Sequence, residues 1–179
     1  MSGRRTDVIL GLGSNVDPER NLQRAVELLG RALEVRAASA VYESDPVGAP
    51  GTPRFLNAAL LVRTGRSPGA LKHGILRPLE ATLGRRRGAD PNAPREIDID
   101  VVLFGERVIR EPEVDLHVPD PALATAAHVV LPAAEVWPQA VHPELGVTLA
   151  ELAAGVAWPA GMRRRLDLDL GSRVGNNGE

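Results

Sequence analysis

The chain has 179 residues, of which 44% are apolar, and a formal net charge of −2. That length fills one domain and is short for two, and the near-neutral balance gives no basic surface for an extended nucleic-acid footprint while leaving small anionic ligands open. The absence of cysteine excludes disulfides, thiolate chemistry and cysteine-based zinc sites, and with no signal-like N-terminus and no apolar run of about 18 residues the expectation is a cytoplasmic protein with no membrane partner.

In chain order, residues 1–6 are polar and basic, as a frayed terminus is. Asp7 to Leu12 has the content of a short strand. Gly11-Leu12-Gly13-Ser14-Asn15 then reads as a turn, since Val16 stands where a dinucleotide loop needs a third Gly or Ala. Asp17-Pro18 predicts an N-cap and a first-turn proline, and Leu22, Ala25, Val26, Leu29 and Leu33 give one helical face through about residue 33. Glu34 to Ser44 predicts a strand, residues 45–53 a loop rich in Pro and Gly, and Phe55 to Thr64 a further strand with Asn57 as an inner polar residue. Ser67-Pro68 opens a helix to about Leu83. It should kink or break near residues 74–77, because Pro78 has no N–H and crowds the carbonyl of Gly74. Gly84 suits a helix C-terminus, and Arg85 to Arg87 pass into a short polar loop.

Further on, Gly105-Glu106 predicts a hairpin turn into Val108-Ile109, and Glu111-Pro112-Glu113 ends that strand. Val118 to Pro121 reads as a rigid loop followed by one helical turn. Val129 to Leu131, Pro132 to Val136 and Leu149 to Ala154 are apolar closing segments. The alternating Leu166-Asp167-Leu168-Asp169-Leu170 predicts an edge strand or a loosely docked tail. The expected division is one domain over residues 1–160 and a loosely ordered tail over 161–179.

Chemistry concentrates between these elements, in the run from Pro94 to Phe104. Its β-branched residues predict a buried strand, and alternation puts Asp98 and Asp100 on one face about 7 Å apart, with Ile97, Ile99 and Val101 on the other. A solvated strand face also carries alternating acids. Here Arg85, Arg86, Arg87 and Arg95 stand within 15 residues of the pair, and carboxylates for a cation beside guanidinium groups for phosphate oxygens suit phosphoryl transfer. Lys72 is the single lysine and no G-x-x-x-x-G-K-[ST] occurs, so phosphate recognition by side chains falls to arginine. The four histidines, at 73, 117, 128 and 142, show no metal-ligand spacing.

Gly13-Ser14-Asn15, Phe55-Leu56-Asn57-Ala58, Leu83-Gly84-Arg85 and Pro94-Arg95 leading into Ile97-Asp98-Ile99-Asp100 stand in an order that resembles the 6-hydroxymethyl-7,8-dihydropterin pyrophosphokinase family of folate biosynthesis, from about Val8 to Ala154. The resemblance implies an α+β, ferredoxin-like fold, a mainly antiparallel sheet flanked by helices in three layers. It implies an ATP-dependent transfer of pyrophosphate to the pterin hydroxymethyl group, with release of AMP and with small molecules as the only partners. By the same resemblance Asp98 and Asp100 bind two Mg²⁺ ions that bridge the ATP phosphates, and Arg85 and Arg95 contact phosphate oxygens as charge develops. Ser44, Val47, Gly48, Phe55, Asn57 and His128 would form the pterin pocket, and Glu80, Arg85, Arg87 and Arg95 the nucleotide side. Pro119-Asp120-Pro121 stands where the family has Pro-His-Pro, Ala126 replaces an arginine, His128 replaces a stacking aromatic, and Pro91 and Asn92 replace a basic-aromatic pair. A weak or non-catalytic paralogue that binds pterin or nucleotide, and another Mg²⁺-dependent phosphotransferase, are the alternatives.

Overall fold

The computed structural model describes residues 4–45, 51, 53–90 and 93–174. Strand β1 (Thr6–Ser14) sends Val8, Leu10 and Leu12 to one face and Ile9, Gly11 and Gly13 to the other, the two-residue alternation of a pleated strand. Its neighbours are β4 (Phe55–Thr64) and β5 (Asp98–Phe104), both antiparallel to it. On the far side of β4, β2 (Glu34–Ala38) and β3 (Val41–Ser44) lie end to end, and β8 (Arg163–Arg165) pairs with β3. Among the described residues these six strands form one sheet in the order β5-β1-β4-β3-β8, with β2 beside β4. A separate ribbon pairs β6 (Ile109–Glu111) with β7 (Leu116–Val118).

Helices cover both faces. Helix α1 (Pro18–Ala32) buries Leu22, Ala25, Val26 and Leu29 against Val8, Leu10, Ile99 and Val101. The same layer holds a helical run made of α2 (Pro68–Leu71), a π-helical turn at Lys72–Leu76 and α3 (Arg77–Thr82). On the opposite face α4 (Ala127–Val136) and α5 (Leu149–Gly155) form a second core with Ile9, Ala59, Val102 and Leu103. The result is the helix–sheet–helix, mainly antiparallel α+β arrangement that the resemblance implies.

Local differences have identifiable causes. The expected turn at residues 11–15 is strand through Ser14, since Gly11 and Gly13 are paired on both sides, to Ala59 and Asn57 and to Asp100 and Asp98. Asp17 makes no capping bond: it sits at φ 40°, and Asn21 Nδ2 instead donates to the Val16 carbonyl. The strand expected over 34–44 breaks at Ser39, whose hydroxyl accepts from the Ala59 N–H in place of a ladder carbonyl. Pro78 does disturb its helix, as a π turn one residue before α3 rather than as a break. Strand β5 begins at Asp98 rather than near Pro94, and the apolar stretches around 129–136 join into α4 despite Pro132. The 109–111 strand follows the Gly105 turn, but its partner is β7 and not β5. Residues 163–165, placed by sequence in a loose tail, are the edge strand, and the alternating Asp167 and Asp169 lie beyond it.

One irregularity shapes the site. The β1–β5 register shifts between Ile9 and Leu10, leaving Val102 as the extra residue of a β-bulge. Its carbonyl accepts from the Asp120 N–H at 2.9 Å, which ties the loop ahead of α4 to the strand that carries the acids.

Candidate active site

Strand β5 sends Ile99 and Val101 into the α1 core and turns Asp98 and Asp100 the other way, into a cavity of about 150 Å³ between the sheet and α4. The cavity exists because its floor lacks side chains. Gly11, Gly13 and Ala59 lie where larger residues would fill it, and Asn57, Arg95, Asp120 and His128 complete the wall. A second cavity of about 110 Å³, lined by Lys72, Asp115, Leu116, His117 and Pro121, shares Asp100 and Asp120 with the first.

Electrostatics mark the acids. Burial pushes the Asp100 carboxyl up to about 7, the Asp98 charge pushes the same way, and Lys72 pulls against them. Asp98 is held by Arg95 Nη1 at 2.8 Å and Arg85 Nη1 at 3.1 Å, and Arg85 also donates to the Ile97 carbonyl at 2.9 Å. Arg95 is fixed by the Gly13-Ser14-Asn15 stretch. Its backbone N–H donates to Asn15 Oδ1 at 2.6 Å, its carbonyl accepts from Asn15 N–H at 3.0 Å, and the Ser14 hydroxyl donates to the Glu96 carbonyl.

Of the residues expected on the pterin side, Asn57 and His128 line the first cavity, and Ser44 and Phe55 adjoin Asn57 and Gly13. Asn57 Nδ2 donates to Ser44 Oγ at 2.9 Å, which leaves Oδ1 towards Gly13 and the cavity. Phe55 stands beside Gly13, opposite Ser44 in the β3–β4 register. His128 lines the same cavity, and its pKa is lowered by burial against the opposing pull of Asp120. Val47, Gly48, Pro91 and Asn92 lie outside the described residues.

Glu80 is placed differently from the expectation of a nucleotide contact. It is 2% exposed, Oε1 accepts from the Ile99 N–H at 2.8 Å and Oε2 from Arg87 at 2.7 Å. Both oxygens are engaged behind β5, so Glu80 anchors the acid-bearing strand and Arg87 rather than facing the cavity. Asp120 does face the cavities, and one of its oxygens also accepts from the Ala122 N–H at 2.8 Å, capping the turn at 121–124. Sequence reading missed Gly11, Gly13 and Ala59 as cavity floor, although small residues at alternate strand positions were the available signal. Lys72 stood out only as a lone lysine; it is buried and paired with Asp115 at 3.1 Å.

The acid pair fits a divalent cation on its chemistry. Two hard oxygen donors share a partly desolvated face, and one of them is held well above its ordinary range by burial and by the charge of the other. Among the described residues no three His, Asp or Glu side chains converge as a complete metal cage. Magnesium is suited to that arrangement, since it commonly takes one or two carboxylates and completes its shell with phosphate and water.

The model of the family 7,8-dihydro-6-hydroxymethylpterin-pyrophosphokinase matches residues 9–138. The 2-amino-4-hydroxy-6-hydroxymethyldihydropteridine pyrophosphokinase of Aquifex aeolicus is 39% identical over 137 residues, covering 76% of this chain and 83% of that protein. The enzyme of the same name from Pseudomonas aeruginosa is 35% identical over 150 residues, covering 82% and 90%. The fold is similar to that of the Plasmodium falciparum HPPK-DHPS protein crystallised with pteroate, at a TM-score of 0.67 and 13% identity over 86% of this chain. This chain spans 43% of that longer one. With the family model matched across most of its length and with relatives this similar, the chain belongs to the 7,8-dihydro-6-hydroxymethylpterin-pyrophosphokinase family.

Proposed function

We propose that this chain transfers pyrophosphate from ATP to 6-hydroxymethyl-7,8-dihydropterin at the wall shared by its two cavities. The observation that carries the reading is the placement of the acid pair: Asp98 and Asp100 both line a space floored by glycines and walled by Asn57 and His128, and Asp100 also lines a second space beside Lys72. The first suits a flat heterocycle and the second the nucleotide. The pterin hydroxymethyl oxygen forms a bond to the β-phosphorus and gives up its proton to solvent, the bond from that phosphorus to its bridge with the α-phosphate breaks, and AMP leaves with the bridging oxygen.

Asn57 Oδ1 presents an acceptor to ring N–H donors, with Ser44 holding the amide in that orientation. Phe55 supplies an apolar edge, and His128, kept neutral by burial, a ring face. Asp98 and Asp100 would hold two Mg²⁺ ions. Bound there, magnesium supplies positive charge against the oxygens of the transferring phosphates. Arg95 and Arg85, already gathered on Asp98, give N–H groups to oxygens that gain charge as the bridge breaks, an interaction stronger in the transition state than before it. Glu80 and Arg87 support the nucleotide side from behind β5. Residues 4–174 would act as one domain. Among the described residues no helix is long and apolar enough to cross a membrane.

Incubation with ATP, Mg²⁺ and the hydroxymethyl dihydropterin tests this, with AMP and ADP scored separately. The expected product is AMP, formed only with pterin present. ADP as product, or tight pterin binding without turnover, would overturn the reading.

A further inference from the structure

The segment after α5 lies outside residues 9–138, which the family model matches, yet it grips three elements of the domain. Strand β8 pairs with β3 as Val41↔Arg165, Tyr42↔Arg164 and Glu43↔Arg163, so its arginines alternate across the sheet edge. On one side Arg164 reaches Glu135 of α4 at 2.9 Å and lies over the Tyr42 ring, against which Trp158 also packs at 5.7 Å. On the other side Arg163 and Arg165 close on Glu43 at 3.1 and 2.9 Å, and Arg165 extends to Glu19 of α1 at 3.1 Å. Arg54 adds a third guanidinium to Glu43 at 2.9 Å. Burial pushes the Glu43 carboxyl up, and Arg165 and Arg163 outweigh it, leaving the group below its usual range.

Arg54 also faces Asp45 at 3.0 Å, and Gly161 is fitted between the two. The Gly161 carbonyl accepts from Arg54 Nη2. A Cβ at Gly161 would come within 2.9 Å of Asp45 Oδ2, at a φ of +82° that L side chains rarely adopt. These contacts end one residue from the pterin wall. Glu43 precedes Ser44, Arg54 precedes Phe55, and Ser44 is paired with Phe55 and hydrogen-bonded to Asn57.

We propose that Glu43, Arg54, Gly161, Arg163 and Arg165 form a positioning cluster through which the C-terminal segment sets the placement of Ser44 and Asn57, and with it the affinity for the pterin. The inference rests on the pterin reading of the first cavity. None of the five touches a substrate in that reading; they act through the end of the β3–β4 pair. A cluster that served only to staple an edge strand would lower stability without separating the two substrates, and that contrast decides the case.

The test compares the full-length parent with Glu43→Gln, Arg163→Met and Gly161→Ala, measuring KM for pterin, KM for ATP, kcat and the thermal midpoint. The expected result is a roughly tenfold rise in the pterin KM, with the ATP KM and kcat at saturating pterin unchanged. Gly161→Ala leaves every charge in place, so it decides alone if Glu43→Gln does not fold. Variants that match the parent, that raise both KM values together, or that lose thermal stability with an unchanged pterin KM, overturn the proposal while the proposed function stands. A parent that makes no AMP overturns the function, and the inference with it.

Discussion

Three carboxylates of its own sign act on Asp100, namely Asp98, Asp120 and Glu80, and the cation facing it, Lys72, is shared with Asp115. In the metal-free protein an amide at this position relieves both the burial cost and the repulsion, so Asp100→Asn should unfold at a temperature equal to or above that of the parent. Turnover with Mg²⁺ should nonetheless fall by about 10²-fold or more, because in the proposed role the magnesium that orients the phosphates would lose one of its two carboxylate ligands. Calorimetry without metal and AMP release with it separate the two effects; full activity in the variant would dismiss the metal assignment. Asp120 calls for a different substitution from the histidine that the family pattern suggests. It caps the turn at 121–124 through the Ala122 N–H, a role that asparagine keeps and alanine does not. Asp120→Asn should therefore tighten binding of a non-hydrolysable ATP analogue by about 1–2 kcal/mol, an effect that shrinks with added salt. Asp120→Ala should give the same relief of charge at a cost of about 1 kcal/mol in stability. Isothermal titration at two ionic strengths, beside thermal unfolding, checks both.

Among the elements, β1 and β5 meet at a bulge that brings Val102 under Gly11. A Cβ on Gly11 would stand 2.9 Å from Val102 Cγ2, so Gly11→Ala forces apart the pairing of residue 11 with Asp100. The cost should be about 1–3 kcal/mol, as for overpacking elsewhere. Adding Val102→Ala should recover part of it, and denaturant unfolding of the four members of the cycle measures the coupling. Much of β5 was legible from alternation alone: Ile97, Ile99 and Val101 face the core and the two aspartates oppose them. The bulge was not, since a shift of register depends on the partner strand and leaves no period in the sequence. Gly11 and Gly13 read as a turn for a related reason, because the feature they create is an absence of side chain that only the surrounding layers make into a cavity. Glu80 suited a nucleotide contact by its match to the family and proved to be a strand anchor, through a bond to Ile99 that joins two elements and has no local signature.

Taken as a whole, the molecule stacks its ionic chemistry at both ends of the sheet. The end remote from the cavity holds a cross-strand pair, Asp7 with Arg63, joined by two hydrogen bonds of 2.8 Å between registered neighbours. The Arg63 hydrogen bonds hold the Asp7 carboxyl below its usual range, with burial opposing them. A depressed native value means that the contribution is complete above the unfolded carboxylate range and lost as the pH falls through the lower native one. Asp7→Asn should thus be less stable than the parent at pH 7 by roughly 0.5 kcal/mol, since the pair is partly exposed. The gap should close on acidification below the ordinary carboxylate range, and urea unfolding along a pH series reads it. The strand order itself carries a consequence for how the molecule comes into being. On a ribosome, β1 emerges first and can meet β4 early, but its other edge stays open until residue 98 follows, and β3 stays open until residue 163. The free edge of β1 is therefore bare until β5 is made and that of β3 until β8 is made, and the acid pair arrives on the strand that closes the first of them. Such long-range pairings are slow to form, so the nascent chain depends on protection from edge-to-edge association until its last strand is in place.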